Sequence, residues 1–190
     1  ISADGLSLYF ASNKQGGYGG YDIWYSTRDT LTERWGKPKN AGQVINSKGD
    51  ELFPYYRSSD STLYYASNGI IGMGGFDIYR VNYDNKGKQY TLNLMSPINS
   101  SSDDFGITFR DSIEEGYFSS NRPGGKGYDD IYYFSIARLH FSVKGQVLNE
   151  MTETPVSNAV VSLLGSDGSS LEVITDENGY YEYKLNPQAN

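Results

Sequence analysis

The segment Tyr9-Phe10-Ala11-Ser12-Asn13 returns as Tyr64-Tyr65-Ala66-Ser67-Asn68 and again as Tyr117-Phe118-Ser119-Ser120-Asn121. Each copy leads into a glycine-rich stretch and then into Asp-Ile-aromatic: Asp22-Ile23-Trp24, Asp77-Ile78-Tyr79, Asp130-Ile131-Tyr132. The copies stand 55 and 53 residues apart. A period near 50 with β-rich units predicts a radially or linearly repeated fold.

Within each copy the pattern reads as a hairpin. Leu6–Ser12 has the alternation and aromatic content of a half-buried strand. Asn13–Gly20 is glycine-rich and reads as a loop, and Tyr21–Ser26 reads as the returning strand. The same reading covers 63–67 with 76–81, and 116–120 with 129–134. Between hairpins, Ile45-Asn46-Ser47 precedes Asp50-Glu51, and Ile98-Asn99-Ser100 precedes Asp103-Asp104, again 53 apart. Strand-like stretches follow at 52–56 and 105–109. Each unit thus offers about four short strands, the size of a propeller blade. No segment carries a 3.6-residue apolar stripe, so little helix is expected.

The pattern Tyr-x-Ala-Ser-Asn, glycine loop, Tyr/Phe-Asp-Ile-aromatic resembles the WD40-like repeat of TolB-type propellers over residues 1–137. The third copy departs from it in its loop, Arg122-Pro-Gly-Gly-Lys-Gly-Tyr-Asp-Asp-Ile131. Beyond it, Gly145-x-Val147, Pro155-Val156-x-x-Ala159-x-Val161 and Thr175-Asp176-Glu177-Asn178-Gly179-Tyr180-Tyr181 resemble the carboxypeptidase regulatory-like domain, a transthyretin-like β-sandwich. Strands are expected at 141–147, 160–164, 171–175 and 180–185, with a turn at 176–179. The expected fold is therefore all-β: a partial β-propeller of about three WD40-like blades (1–137), followed by an incomplete transthyretin-like sandwich (138–190). Three blades do not close a propeller, so a longer chain is expected. So is a start upstream of Ile1, which opens inside a repeat.

The repeated Asp22, Asp77 and Asp130 read as turn pins: an Asp at a strand start accepts N–H bonds from the adjoining glycine loop. A ring of functional carboxylates is the weaker reading. Asn13, Asn68 and Asn121 suit turns because Asn tolerates left-handed backbone. The pairs Asp50-Glu51 and Asp103-Asp104 offer acid/base or Ca²⁺-ligand chemistry. However, they recur with the unit, which favours a structural role, and no Asp-x-Asp-x-Asp-Gly calcium loop is present. Tyr9, Tyr64 and Tyr117 sit at equivalent positions and read as packing between blades. Tyr18, Met73 and Tyr128 lie in the glycine loops and are the candidate contact residues.

The single histidine, His140, reads as a strand residue without metal or nucleophile partners. No Gly-x-Ser-x-Gly elbow occurs, and Gly16–Gly20 lacks the Lys-Ser/Thr of a phosphate loop. No catalytic residue, cofactor or metal site is expected. Cysteine is absent, which excludes disulfides and thiolate chemistry. Net charge is −7 and the cations are scattered, which argues against nucleic acid. No apolar run reaches the roughly 18–20 residues of a membrane span.

A WD40-like propeller followed by a regulatory-like sandwich resembles envelope proteins of the OmpA family in Gram-negative bacteria, some of them associated with type IX secretion. That resemblance implies a non-enzymatic periplasmic scaffold on the outer membrane. Its partners would be envelope proteins, with peptidoglycan held through a domain outside this chain. The alternatives are a carbohydrate- or peptide-binding propeller, expected to use Tyr18 or Tyr128, and the propeller of a hydrolase. The last predicts a downstream α/β-hydrolase domain where a β-sandwich is expected here.

Overall fold

The computed structural model describes residues 1–110, 113–136, 141–165 and 168–185. Among these every regular element is a strand, and the chain divides into two compact units, residues 1–136 and 137–190. Ser135–Arg138 reads from the sequence as a short linker; its residues 137 and 138, like His140, lie outside the described residues. Ser135 itself belongs to a strand.

The first unit holds three antiparallel meanders. The first sheet is β1 (Ser7–Ser12), β2 (Asp22–Thr27) and β3 (Lys39–Asn40). The second is β4 (Glu51–Arg57), β5 (Thr62–Ser67), β6 (Asp77–Tyr83) and β7 (Gln89–Asn93). The third is β8 (Asp104–Phe109), β9 (Glu115–Ser120) and β10 (Asp130–Ser135). Neighbouring strands in each sheet are neighbours in sequence, the order that short hairpin connections impose.

The middle sheet is buried on both faces, which explains its nearly continuous apolar run Leu63-Tyr64-Tyr65-Ala66. Side chains alternate across it. Leu63, Tyr65, Tyr79 and Val81 pack with Ile23 and Ile45 of the first repeat. Tyr64 and Ile78 face the other way and pack with Ile98, Ile107, Phe118 and Phe134. Aromatic rings bridge the sheets: Tyr9 stacks on Tyr56 at 5.2 Å, and Tyr64 meets Phe109 at 4.9 Å.

Two features escape a simple alternating pattern. β3 and β7, the last strands of their sheets, carry no strong apolar signal and were not assigned from sequence. The stretches at 52–56 and 105–109 are not straight strands, because the register against the partner slips between Leu52 and Tyr55 and between Phe105 and Thr108. The bulge places Phe53 and Gly106, 53 residues apart, at φ of 54° and 65°. Glycine takes that conformation at little cost, whereas phenylalanine is strained there.

The second unit contains the pair β11 (Phe141–Gln146) with β14 (Tyr180–Leu185) and the pair β12 (Val160–Leu164) with β13 (Ser170–Ile174). The Tyr183 hydroxyl donates to the Leu171 carbonyl at 3.1 Å and also meets that of Val161, which ties the pairs together. Gly179 closes the turn 176–179 with φ of 74°.

Candidate contact surface and the seams that shape it

Each glycine loop is held by the aspartate that follows it. Asp22 accepts the N–H groups of Tyr18 (2.6 Å) and Gly19 (3.2 Å). Asp77 accepts those of Met73 (2.5 Å) and Gly74 (3.3 Å), and Asp130 those of Lys126 (2.9 Å) and Gly127 (3.1 Å). Asp22 and Asp77 are buried, so their charge is compensated by these donors. Asp22 also accepts the Asn40 side-chain N–H at 2.7 Å. In the next copy Asp77 Oδ1 and Asn93 Nδ2 both lack a partner among the described residues.

A second clamp was not read from the sequence. Asn46 accepts the Ile23 N–H at 2.7 Å and donates to the Ile23 carbonyl at 3.0 Å and to Asn40 Oδ1 at 2.8 Å. Asn99 does the same to Ile78, at 2.9 and 2.8 Å, and to Asn93 Oδ1 at 2.7 Å. The signal was present in the recurring Ile-Asn-Ser, whose asparagine is buried beside the Asp-Ile strand.

Asn68 and Asn121 act differently from the turn reading. Neither takes positive φ. Instead each side-chain oxygen accepts the N–H of the carboxylate residue opposite, Asp50 at 2.7 Å and Asp103 at 2.8 Å. Asn13 makes no side-chain hydrogen bond among the described residues.

The paired carboxylates build the seams between sheets. At the first seam Asp50 accepts the Tyr21 N–H (2.8 Å) while Glu51 donates its N–H to the Tyr21 carbonyl (2.6 Å). At the second, Asp103 accepts the Phe76 N–H (2.8 Å) and Asp104 donates its N–H to the Phe76 carbonyl (2.7 Å). The second member of each pair is buried. Glu51 accepts from Ser47 (N–H 2.9 Å, hydroxyl 2.6 Å) and from the Ser67 hydroxyl (2.7 Å). Asp104 has a shorter arm. It accepts from Ser100 and pairs with Arg122 at 2.5 Å, whose guanidinium lies over Phe118 and Tyr132.

The equivalent outer face of the third sheet is exposed among the described residues of the first unit. Ile23 and Ile78 are wholly buried, and Ile131, their equivalent, is 77% exposed. Tyr117 and Tyr133 are exposed beside it, and their rings contact at 5.7 Å. The loop residues that seat the next sheet also change here. Gly20 and Gly75 leave no room for a Cβ against the Asp50 and Asp103 carboxylates. Their counterpart is Tyr128, 96% exposed. Tyr21 and Phe76 give way to Asp129. Of the candidate contact residues, Tyr18 (50% exposed) and Met73 (40%) are equivalent to each other and to Lys126, whereas Tyr128 occupies the seat position instead.

No family model matches the chain, and no curated protein matches it either.

Proposed function

We propose that residues 1–136 are blades of a WD40-like β-propeller, that the second unit is a carboxypeptidase regulatory-like sandwich of the transthyretin type, and that the chain is a non-enzymatic scaffold of the bacterial envelope. The blade reading draws support from the four-stranded meander and from a seam built twice with the same residues. The sandwich reading draws support from two antiparallel pairs joined through Tyr183. The periplasmic outer-membrane location, and a tie to peptidoglycan through a domain outside these residues, rest on the resemblance of the domain order alone.

One observation carries the scaffold reading: the cluster of exposed side chains on the outer face of the third sheet and its loop, Ile131, Tyr117, Tyr133 and Tyr128. Exposed apolar groups that cluster in this way mark interaction sites. Tyr128 fills the seat that glycine leaves open at the other two copies, and Asp129 adds a carboxylate. A further unit with the same Asp-first seam would meet both a bulky side chain and a like charge. The occupant we propose, in the place where a ring-closing blade would otherwise stand, is a partner protein's surface with an apolar centre and a lysine or arginine for Asp129. Burying each large side chain contributes about 1.5–3 kcal/mol. Association costs on the order of 4–15 kcal/mol, so the partner must add polar contacts at the rim.

Site-specific photo-crosslinking tests this in the full-length protein in its own cells, with the probe at Tyr133. The expected result is a discrete adduct with an outer-membrane protein, lost on Ile131→Glu and absent with the probe at exposed Lys86. Equal adducts from both probe positions, or an adduct indifferent to Ile131→Glu, would overturn the proposal.

A further inference from the structure

Between the first and second sheets lies a cavity of about 260 Å³. Four tyrosines, Tyr9, Tyr25, Tyr56 and Tyr83, converge on it, together with Ser61 and Gln89. Ala41, Ile45, Leu63 and Val81 complete its lining. Tyr9 lies 5.2 Å from Tyr56, nearly parallel at 13°, and 6.1 Å from Tyr25.

The cavity is not a by-product of the repeat, because the second seam fills the same space. Ala41 and Val81 become Leu94 and Phe134, each 53 residues on, and both pack in the second core. Tyr56 becomes Phe109, which meets Phe134 edge-on at 5.2 Å. The mouth is closed there as well. Arg57 lies over Phe109 at 4.2 Å and pairs with Glu114 at 2.9 Å. At the first seam, Ser2 and Ser61 stand at those two positions and form no such bridge. Two changes run the other way: Tyr83 becomes Ile136, and Leu63 becomes Gly116, where the Phe134 ring lies 2.9 Å from where a Cβ would sit.

The chemistry of the walls selects a ligand. The hydroxyls of Tyr9, Tyr25 and Tyr56 have no protein hydrogen-bond partner among the described residues, and the Tyr83 hydroxyl meets only Gln89, at 3.4 Å. Among the described residues no ionised side chain lines the cavity, so a charged ligand would be desolvated without a counter-ion from them. A purely apolar ligand would cover the rings but leave the phenol, amide and serine groups unpaired, at a cost; a proline-rich peptide offers carbonyl acceptors but no donors for the phenol, amide and serine oxygens, so it meets only half of their capacity. A sugar ring satisfies both requirements: C–H faces for the aromatic rings and hydroxyls for the polar tips. Burial raises the Tyr9 pKa, with Tyr56, Tyr83 and Tyr25 adding to it, so its hydroxyl stays a donor at neutral pH.

We propose that this cavity is a binding site for a neutral saccharide, taking one ring of an oligosaccharide among Tyr9, Tyr25, Tyr56 and Tyr83. The size, near the lower end for ligand pockets, suits a single ring with the chain continuing into solvent. The site uses neither Tyr18 nor Tyr128 and is independent of the third sheet's face, so either proposal stands or falls alone.

The test is calorimetric titration of the full chain with maltotetraose, cellotetraose and N-acetylglucosamine tetramer. Co-sedimentation with purified peptidoglycan sacculi and titration with a proline decamer run beside it. Binding of a soluble sugar, or of sacculi, supports the site and tells a free oligosaccharide from a wall glycan. Ala41→Leu, and separately Leu63→Gly with Val81→Phe, copy the filled second seam. Each should weaken binding by at least about tenfold, which is 1.4 kcal/mol. The urea midpoint of Ala41→Leu should hold, which keeps loss of binding distinct from loss of fold. Tyr56→Phe keeps the ring, removes a hydroxyl and should weaken binding severalfold. The proposal is overturned if neither sugar nor sacculi bind, if the proline decamer binds in their place, or if Ala41→Leu binds as the wild type does.

Discussion

The asparagine clamp offers the sharpest test of how the blades are held. Asn99→Ala removes the acceptor of the Ile78 N–H and two donated bonds, in a site where Ile78 is wholly buried. The Ile78 carbonyl keeps a second partner, the Leu94 N–H at 3.0 Å, so the orphaned group is chiefly the N–H. Such a group costs about 1–3 kcal/mol, and each lost bond about 0.5–1.5 kcal/mol more. With two donated bonds lost, a net loss of about 2–6 kcal/mol is expected. Trp24 and Trp35 both lie in the first unit, so their fluorescence follows its unfolding alone. With a urea slope of about 2 kcal/mol/M, the midpoint should fall by about 1–3 M. Asn13→Ala, an exposed control, should stay within about 0.5 kcal/mol. Asn99→Asp keeps the shape but turns a carboxylate toward the Ile78 carbonyl and Asn93 Oδ1. Burial then raises the pKa of the new carboxyl in the folded state. Its protonated form is favoured below the unfolded value, and stability is lost as pH rises through the folded value. The deficit of Asn99→Asp should therefore be smallest in acid and grow toward neutral pH. The reasoning fails if Asn99→Ala moves the midpoint no more than Asn13→Ala does, or if the Asn99→Asp deficit is the same at every pH.

Arg122→Ala leaves the buried Asp104 carboxylate without its cation and should cost about 3–5 kcal/mol in the same urea assay. Gly75→Ala sets a methyl group against the Asp103 carboxylate and should cost about 1–3 kcal/mol, whereas Tyr128→Ala, at the equivalent but uncovered position, should be neutral in the isolated protein. Burial raises the pKa values of Tyr64, Tyr65 and Tyr79. Their contribution is full below the unfolded value near 10 and is lost as pH rises through the folded values. Near-ultraviolet absorbance should show exposed tyrosines ionising first and these three only as the first unit unfolds in alkali.

The hairpins were legible because alternating aromatics and glycine loops are local signals. The structure places strands close to where that pattern falls, as at Ser7–Ser12, Thr62–Ser67 and Glu115–Ser120. β3 and β7 were not legible, since each is an outer strand whose pairing is set by the neighbour already in place. The bulge at Phe53 was hidden because nothing about a phenylalanine announces positive φ; only its repeat partner, Gly106, hints at it. The aspartates at 22, 77 and 130 carried a readable local geometry, an acceptor beside its own loop. The roles of Asn46 and Asn99 depend on a strand more than 20 residues away, and spacing alone does not reveal which backbone an asparagine will meet.

Repetition supplies a comparison inside one molecule. Where the copies agree, as in Asn46 with Asn99 or Asp50 with Asp103, the residue closes a seam that every unit needs. Some differences compensate one another: the shorter Asp104 replaces Glu51, and Arg122 arrives where the earlier copy has Gly69. Other differences have no compensation within the fold. Ala41 and Val81 leave a cavity that Leu94 and Phe134 would fill. Tyr128 and Asp129 alter a seat beside an exposed Ile131. A chain under selection for packing alone has no reason to keep a cavity in one seam while the other shows how to fill it. The uncompensated positions are the ones on which the proposed ligand and the proposed partner rest, and they fall at two separate places in the first unit.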